Sequence, residues 1–169
     1  MNIVKITSPD INNGNGIRVT CWISGCTHKC PQCHNSWLQD YTKGKSLDKM
    51  KSELFNKLSL SYIDGITFSG GDPLCQNKES LTELLVLIKE IKIKFPTKNI
   101  WLYTGYTLKD LISDELKYSI ISECDYIVDG KFVTELKDVQ LAFRGSSNQH
   151  IWHVEGKNFE IVDDKIFKS

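Results

Sequence analysis

Short apolar runs alternate with longer segments of helical periodicity along this chain of 169 residues. The run IRVTCWIS is short and rich in β-branched residues, as is typical of a strand, and three later runs share this character. The longer segments place apolar residues three and four positions apart, which predicts helices, and Ser46 is a predicted helix N-cap. The predicted strands cover residues 17–24, 65–73, 99–106 and 124–132, and the predicted helices cover residues 47–60, 78–94 and 107–122.

The alternation of strand and helix predicts a parallel sheet with right-handed crossovers and with ligands at the carboxyl ends of the strands. A complete eight-unit barrel takes about 250 residues, so this chain supplies at most about five strand–helix units and any barrel must be open. The segment QHIWHVEGKNFEIVD predicts a short C-terminal hairpin that turns at Gly156, Lys157 and Asn158. We therefore expect an α/β fold, an incomplete and open parallel β/α barrel with a hairpin-like tail, in one domain that covers residues 1–169.

Charge is balanced along the chain, with 21 Lys and Arg residues against 21 Asp and Glu residues. This balance predicts neither a nucleic-acid surface nor a membrane surface, and it favours a small-molecule or protein partner. The sequence shows no apolar leader and no apolar window of membrane length, so we expect a cytoplasmic protein. Only Arg18 and Arg144 are arginines, which predicts that both occupy positions where a planar guanidinium matters.

Three cysteines lie within eight residues of the segment SGCTHKCPQCHN (24–35), directly after the first predicted strand. Clustered cysteines in a reducing compartment predict metal or redox chemistry rather than disulfides. A structural zinc site usually closes four ligands, and here only His28 could complete such a Cys3His site. An iron–sulfur cluster on three cysteines leaves one iron open for a substrate. The candidate ligands are Cys26, Cys30 and Cys33, whereas Cys21, Cys75 and Cys124 lie in or beside apolar segments and are expected to be buried thiols.

A second motif, SGGDP (69–73), ends the second predicted strand. Its two glycines let the backbone approach a ligand closely, and Asp72 adds a carboxylate that can face an ammonium group or a ribose hydroxyl. The same four residues Gly-Gly-Asp-Pro also form ordinary turns. Beside an open cluster, however, this turn is a candidate wall of a binding pocket.

Together, these motifs resemble the radical S-adenosylmethionine superfamily. The cysteine spacing and the GGD turn indicate only the superfamily, whereas the strings TGY, DGKF and RGSSNQ resemble its small family of anaerobic ribonucleoside-triphosphate reductase-activating proteins, which are activases of glycyl-radical enzymes. The matching segments are NGNGIR (13–18), SGCTHKCPQCHN (24–35), FSGGDPL (68–74), WLYTGY (101–106), VDGKF (128–132) and RGSSNQ (144–149).

The resemblance implies a barrel of the radical S-adenosylmethionine type and a radical mechanism. Cys26, Cys30 and Cys33 would hold one 4Fe-4S cluster, whose open iron would take the amino and carboxylate groups of S-adenosylmethionine. One electron would then release methionine and a 5′-deoxyadenosyl radical, which would remove a hydrogen atom from a glycine Cα of the large subunit of anaerobic ribonucleotide reductase. The resemblance also implies a low-potential electron donor such as flavodoxin or ferredoxin.

Two groups of cofactor contacts follow from the positions of the motifs. The turn after the second strand would receive the methionyl end of S-adenosylmethionine, and the backbone of the cysteine segment would contact its adenine. The family commonly has Tyr directly after the third cysteine, where this chain has His. The implied residues are Gly70, Gly71 and Asp72 at the methionyl end and Gln32, Cys33 and His34 at the adenine.

Five further residues are candidates through the same motifs. Thr104 and Asp129 would line the rim of the cofactor site, although Thr104 could instead cap a strand end and Asp129 could be a turn residue. Arg18, Arg144 and Asn148 could contact the cofactor or the partner protein, and Arg144 could instead form a surface ion pair.

Two other functions stay open at this stage. An activase of a different glycyl-radical enzyme, such as a formate lyase, would use the same chemistry, but several such activases carry a ferredoxin-like Cys-rich insert that this sequence does not have. A non-catalytic zinc-binding module would bind one zinc ion and would not respond to S-adenosylmethionine.

Overall fold

The structure is a computed structural model that describes residues 1–162 and 164–167 of the chain. Within these residues, strands and helices alternate through the middle of the chain, and antiparallel strands occupy both ends. No described helix is both long enough and apolar enough to cross a membrane. The strands are β1 (Asn2–Asp10), β2 (Arg18–Ile23), β3 (Lys45–Ser46), β4 (Gly65–Gly70), β5 (Asn99–Tyr103), β6 (Tyr126–Asp129), β7 (His150–Glu155) and β8 (Asn158–Ile161), and the α-helices are α1 (Leu47–Leu58), α2 (Lys78–Lys94), α3 (Leu108–Ile112) and α4 (Glu115–Ile121).

These strands form one mixed sheet in the order β3-β1-β2-β4-β5-β6-β7-β8. At its centre β2, β4, β5 and β6 run parallel, whereas β1 and β3 on one side and β7 and β8 on the other pair antiparallel. The predicted α/β class is therefore confirmed. The four strands predicted to be parallel are the four central strands β2, β4, β5 and β6, and the sheet ends at β3 and β8 without closing on itself.

The C-terminal hairpin is confirmed, because β7 and β8 pair antiparallel around a turn at Gly156 and Lys157. The bounds of α2 agree with the prediction, but the single helix predicted over residues 107–122 is wrong. Two short helices occupy this stretch, and the Asp114 side chain accepts a hydrogen bond from the Lys117 N–H at the start of the second. Such a cap satisfies an N–H group that has no partner within the helix, so the chain can begin a new helix there.

The N-terminal strand β1 was not predicted. Its sequence NIVKITSPD lacks strict apolar alternation and contains Pro9, a residue that usually argues against a strand. The register against β2 shifts between Thr7 and Asp10, so the proline lies at an irregular step where a regular ladder hydrogen bond is not required. Pairing with β2 therefore decides the conformation of this segment.

The main hydrophobic core lies between the sheet and the helices, and a second, aromatic cluster lies against the other face of the sheet. Neighbouring residues of a strand point to opposite faces, and in β5 Ile100 and Leu102 belong to the main core whereas Trp101 centres the second cluster. The Trp101 ring stacks on that of Tyr126 at 4.6 Å and meets that of Phe143 edge-on at 5.4 Å. The helices thus cover one face, and the other carries aromatic side chains.

Two buried thiols predict a loss of stability at alkaline pH. Burial raises the pKa of both Cys21 and Cys124 above the ordinary thiol value. The folded chain therefore keeps protons that the unfolded chain has released, and the stability present below about pH 9 should fall by roughly 1.4 kcal/mol per group for each pH unit above it. Urea unfolding of the cluster-free protein at several alkaline pH values measures this slope. An unchanged slope in the Cys21→Ala/Cys124→Ala double variant would contradict the assignment.

Candidate functional site

A cavity of about 620 Å³ opens at the carboxyl ends of β4 and β5, beside the aromatic cluster. Parallel sheets generally place ligands at this edge, because the loops that follow the strands meet there. The volume lies within the range of small-molecule sites, about 300–1,000 Å³. Residues that border the cavity include Cys26, Cys30, Cys33, Ser69, Gly70, Gly71, Tyr103, Thr104 and Gly105, and from three other loops Asn12, Lys131 and Leu141.

The cysteine loop, residues 24–35, brings all three predicted cluster ligands to this cavity. Its backbone turns sharply, because Lys29 and Gln32 adopt left-handed conformations with φ of 52° and 53°. The Cys33 N–H donates to the Cys30 carbonyl oxygen at 3.3 Å, so the second and third thiols lie on one turn. The three thiols are partly exposed and border the same space.

Burial affects the ionisation of these thiols. It raises the pKa of Cys26 to about 12 and also raises the pKa of Cys30. Because the thiolate is the metal-binding form, metal binding must displace protons here. In the described part of the chain, no three His, Cys, Asp or Glu side chains lie close enough together to hold a single metal ion. The three thiols do border one cavity, and a cluster offers each thiolate an iron of its own.

His28, the fourth ligand of the zinc alternative, is engaged elsewhere. Its Nε2–H donates to the Asp72 Oδ2 atom at 2.7 Å. Its ring also meets the Tyr106 ring edge-on, with centroids 4.7 Å apart. A zinc site that used His28 would therefore have to bind its Nδ1 atom, because Nε2 is hydrogen-bonded to Asp72.

The two glycines of the GGD turn bring the cysteine loop close to the end of β4. A Cβ atom on Gly71 would lie 2.5 Å from the Gly25 carbonyl oxygen and 2.8 Å from that of Leu38, and Gly70 has a left-handed φ of 119°. The Gly71 N–H donates to the Ile23 carbonyl oxygen at 2.8 Å. Glycine is therefore required at this turn mainly because side chains here would clash with the protein's own backbone. Both glycines also border the cavity.

The Asp72 carboxylate lies inside the protein, with 1% of the residue exposed. Its Oδ1 atom accepts from the Leu74 N–H at 2.8 Å, and its Oδ2 atom accepts from the Thr104 hydroxyl at 3.0 Å, from the Gly105 N–H at 2.8 Å and from His28. The expected contact of this carboxylate with the methionyl end of a cofactor stays a prediction, and within the protein the carboxylate already accepts four hydrogen bonds. Asp72 thereby joins the cysteine loop to the end of β5.

Thr104 and Asp129 occupy different surroundings. Thr104 borders the cavity, and its hydroxyl donates to Asp72. Asp129 is buried, and its carboxylate accepts from the Leu108 N–H at 2.7 Å and from the His150 N–H at 3.2 Å. The Asp129 carboxylate thus joins the start of α3 to β7, and its expected place on the cofactor rim stays a prediction.

Arg18 does not face a partner or a cofactor, because its side chain is fully buried. Its guanidinium donates to Asn15, Ile66, Thr67 and Asn99. The prediction that Arg18 needs a planar fork is therefore confirmed, but its role as a contact residue is wrong.

Arg144 and Asn148 lie near the loops after β6. Arg144 borders the cavity and forms an ion pair with Asp164, which is partly buried rather than on the surface as the alternative assignment expected. The Asn148 Nδ2 group donates to the Lys131 carbonyl oxygen at 2.9 Å. Arg144 thus lies beside the cavity while paired with Asp164, whereas Asn148 holds a neighbouring loop.

The residues assigned to adenine follow the turn of the cysteine loop. Cys33 and His34 border the cavity, and the His34 ring lies 5.4 Å from the Phe132 ring. Gln32 is exposed, and its left-handed backbone places it at the tip of the turn.

Comparison with known proteins gives the family. Residues 12–152 match the family model described as a 4Fe-4S single cluster domain. The anaerobic ribonucleoside-triphosphate reductase-activating protein of Pasteurella multocida is 39% identical over 90% of this chain and 97% of its own length. Proteins of the same name from Escherichia coli K12 and Enterobacteria phage T4 are 38% and 41% identical, over 91% and 90% of this chain and 99% and 94% of their own lengths.

The chain belongs to the family of anaerobic ribonucleoside-triphosphate reductase-activating proteins. The resemblance stated from the motifs is confirmed, as is the single 4Fe-4S cluster. The three thiols at one cavity supply the soft ligands that such a cluster requires. As a member of this family, the chain presents the three candidate cluster ligands on one loop, and strand ends and other loops form the rest of the cavity.

Several residues at the site of this family member were not singled out from the sequence. Tyr103, Phe132 and Phe143 border the cavity, and the Tyr103 hydroxyl donates to the Phe143 carbonyl oxygen at 2.8 Å. Tyr103 and Phe132 lie within the matching strings WLYTGY and VDGKF, so the signal was present there. Phe143 precedes the matching string RGSSNQ, and only the fold brings it beside Tyr103.

Substitution of Gly71 tests the close approach at the GGD turn. In Gly71→Ala, the new methyl group meets two backbone oxygen atoms, which should lower the free energy of unfolding by about 1–3 kcal/mol. The base of the cysteine loop must also move, so reconstituted iron content should fall. Urea unfolding and iron analysis measure both effects.

Gly156→Asn is the matched control, because Asn tolerates a left-handed backbone and no atom lies within 4 Å of a Cβ at this position. A Gly71→Ala protein with the stability and iron content of the unsubstituted chain would show that the turn can accommodate a methyl group, which would contradict the close approach.

Proposed function

We propose that this protein is an iron–sulfur enzyme that reductively cleaves S-adenosylmethionine and generates the glycyl radical of anaerobic ribonucleoside-triphosphate reductase. The observation that carries the proposal is the meeting of three thiols and two strand ends at one cavity, in a chain whose relatives are named reductase-activating proteins. When bound, the cluster supplies one electron that splits S-adenosylmethionine into methionine and a 5′-deoxyadenosyl radical, which takes a hydrogen atom from a glycine of the reductase.

The residues of this chain bind and orient the reacting groups. Cys26, Cys30 and Cys33 hold the cluster by three ligands and leave one iron free of a protein ligand. The backbones of Gly70 and Gly71 border the methionyl end of the cofactor. A partly buried site limits water around the radical, which protects it from side reactions.

Other residues are assigned to the cofactor site from their positions at the cavity or in the cysteine loop. Thr104 borders the methionyl end, and the backbones of Gln32, Cys33 and His34 remain the proposed adenine contacts. The hydroxyl of Thr104 already donates to Asp72, so Thr104 contributes mainly the shape of the wall. Arg144 beside the cavity is a proposed contact with the cofactor or the reductase.

In this proposal, the four parallel strands are the open core of a β/α barrel of the radical S-adenosylmethionine type, and residues 1–169 form one domain. The sheet ends at β3 and β8, which supports an opening wide enough for a segment of another protein. The partner is the large subunit of the reductase, and a low-potential donor such as flavodoxin or ferredoxin supplies the electron. The six thiols are not paired in disulfides, as suits a cytoplasmic protein.

The decisive experiment uses the purified chain under anaerobic conditions. The protein is reconstituted with iron and sulfide, reduced with dithionite and mixed with S-adenosylmethionine, and the products are separated by chromatography. Methionine and 5′-deoxyadenosine should appear in equal amounts, and addition of the reductase should give the electron paramagnetic resonance signal of a glycyl radical. A protein that carries stoichiometric zinc and forms neither product would overturn the proposal.

A further inference from the structure

We infer that His28 and Asp72 form a clamp that fixes the cysteine loop against the carboxyl end of β5, so that Asp72 is a positioning residue and not a contact of the cofactor. Neither His28 nor Asp72 has a role in the proposed function. The clamp goes beyond that function, because it explains how the loop keeps its shape between the thiols.

The Asp72 carboxylate is held from three parts of the chain. Its Oδ2 atom accepts from His28 at 2.7 Å, from the Thr104 hydroxyl at 3.0 Å and from the Gly105 N–H at 2.8 Å. Its Oδ1 atom accepts from the Leu74 N–H at 2.8 Å. A carboxylate offers about four lone-pair sites, so these four donors leave little capacity for the ammonium group of a ligand. Bonds from the β4 turn and the β5 end fix the carboxylate, and the bond to His28 extends this order into the cysteine loop.

His28 lies between two of the candidate cluster ligands, so a bond to its side chain can fix the positions of both. His28 lies two residues after Cys26 and two residues before Cys30. Within the described part of the chain, residues 27–29 make no backbone–backbone hydrogen bond. Side chains therefore secure this stretch, through Thr27 against the Cys75 sulfur at 3.0 Å and through His28 against Asp72. Loss of the His28 side-chain bond would leave the backbone between the two candidate ligands held only by weaker contacts to sulfur, from Thr27 to Cys75 and from the His28 N–H to Cys26.

The surroundings of the histidine ring are shaped to hold it. The side chain of His28 is 9% exposed and that of Asp72 is 1% exposed, so water competes poorly for the hydrogen bond between them. A Cβ atom on Gly105 would lie 2.5 Å from the His28 Cδ2 atom, so the ring occupies the space left by the missing side chain. Tyr106 covers the ring from another side. One orientation of the ring is thereby selected.

Three variants and one control test the clamp: His28→Gln, Asp72→Asn, the double variant and Lys29→Gln. Lys29 lies in the same loop but is exposed. Hydrogen exchange of the cluster-free protein measures how well the amide hydrogens of the loop are protected. Helix α2 is the internal reference for global folding. Each single variant should speed exchange in residues 26–30 and leave α2 unchanged. Lys29→Gln should leave both regions unchanged.

The reconstituted protein gives a second readout, the rate at which a chelator removes iron. Partners of metal ligands typically contribute about 10–100-fold to metal affinity, and we expect each single variant to release iron at least about 10-fold faster. Because both substitutions break one link, the double variant should be no faster than the faster single variant. Lys29→Gln should match the unsubstituted protein.

The opposite results separate the clamp from a cofactor contact. If Asp72→Asn weakens the binding of S-adenosylmethionine without a change in loop exchange or iron release, and His28→Gln has no effect, Asp72 is a cofactor contact and the clamp is overturned. Effects that multiply in the double variant would overturn it as well. Failure of the unsubstituted protein to cleave S-adenosylmethionine would remove the proposed function, yet the exchange experiment on the cluster-free protein would still decide the clamp.

Discussion

Cys30→Ala is expected to lose its 4Fe-4S cluster and all cleavage of S-adenosylmethionine, down to the level of the cluster-free protein. Cys30 lies at the centre of the cysteine loop, and its thiol is one of three at the cavity. Two thiolates leave a second iron without a protein ligand, so the cluster is both more weakly held and more open to water. Iron and sulfide analysis after anaerobic reconstitution, followed by assay of 5′-deoxyadenosine, measures the loss.

Cys124→Ala is the matched control. Cys124 is also a cysteine, but it is buried in the main core, where its thiol lies 3.5 Å from the Ile120 carbonyl oxygen. Its replacement should cost about 1 kcal/mol of stability and leave cluster content and cleavage unchanged. A brown and fully active Cys30→Ala protein would rule out the assignment of the three thiols. Equal losses in both variants would point to misfolding instead.

Local pattern was enough to predict some elements and failed for others. The bounds of α2 follow from apolar residues at helical spacing, and Leu84, Ile88 and Ile91 indeed lie on its buried face. Strand β1 owes its conformation to pairing with β2, which no local signal around Pro9 reveals. The break between α3 and α4 depends on one capping side chain, Asp114, within a run that otherwise looks helical.

Some features of the candidate site could also be predicted from the local sequence, whereas others depend on the fold. The three thiols lie within eight residues, so their spacing alone predicted metal or redox chemistry, and the other motifs were needed to favour an iron–sulfur cluster over zinc. The bond between His28 and Asp72 spans 44 positions, and the sequence cannot show it because β2 and β4 must first pair. Both glycines of the GGD turn were expected to make room for a ligand, whereas the nearest atoms belong to the backbone of Ile23 and Gly25. A motif can thus be recognised correctly while its physical reason is found only in the fold.

The second large effect is expected from Arg18→Met, which should lower the free energy of unfolding by roughly 3–5 kcal/mol. The Arg18 guanidinium is fully buried, and burial lowers its pKa to about 10, which still leaves it charged at neutral pH. Its five hydrogen bonds reach the Ile66 carbonyl oxygen, the Thr67 hydroxyl, the Asn15 carbonyl oxygen and both oxygens of Asn99, at 2.6–3.2 Å. Met fills similar space but leaves these acceptors without a donor, and each unpaired buried group costs about 1–3 kcal/mol.

The loss of the Arg18 hydrogen bonds should also affect the cavity, through the loop of residues 11–16. Arg18 holds the loop at Asn15 directly, and Thr67, which accepts from Arg18, donates to the Asn13 carbonyl oxygen at 2.6 Å. Since Asn12 and Asn13 border the cavity, Arg18→Met should disorder one wall as well as destabilise the chain. Urea unfolding of the cluster-free protein measures the free energy of unfolding, and hydrogen exchange of residues 11–16 measures how far this wall of the cavity becomes disordered.

Arg144→Met provides the comparison, because it removes the chain's other arginine and its single ion pair with Asp164. That pair is partly buried, and its loss should cost about 1 kcal/mol, well below the cost at Arg18. Arg18→Lys should recover only part of the loss, since an ammonium group cannot reach acceptors on both sides of a planar fork. If Arg18→Met and Arg144→Met destabilise the protein equally, the buried network does not hold the loop, and the wall of the cavity must be fixed by its own backbone.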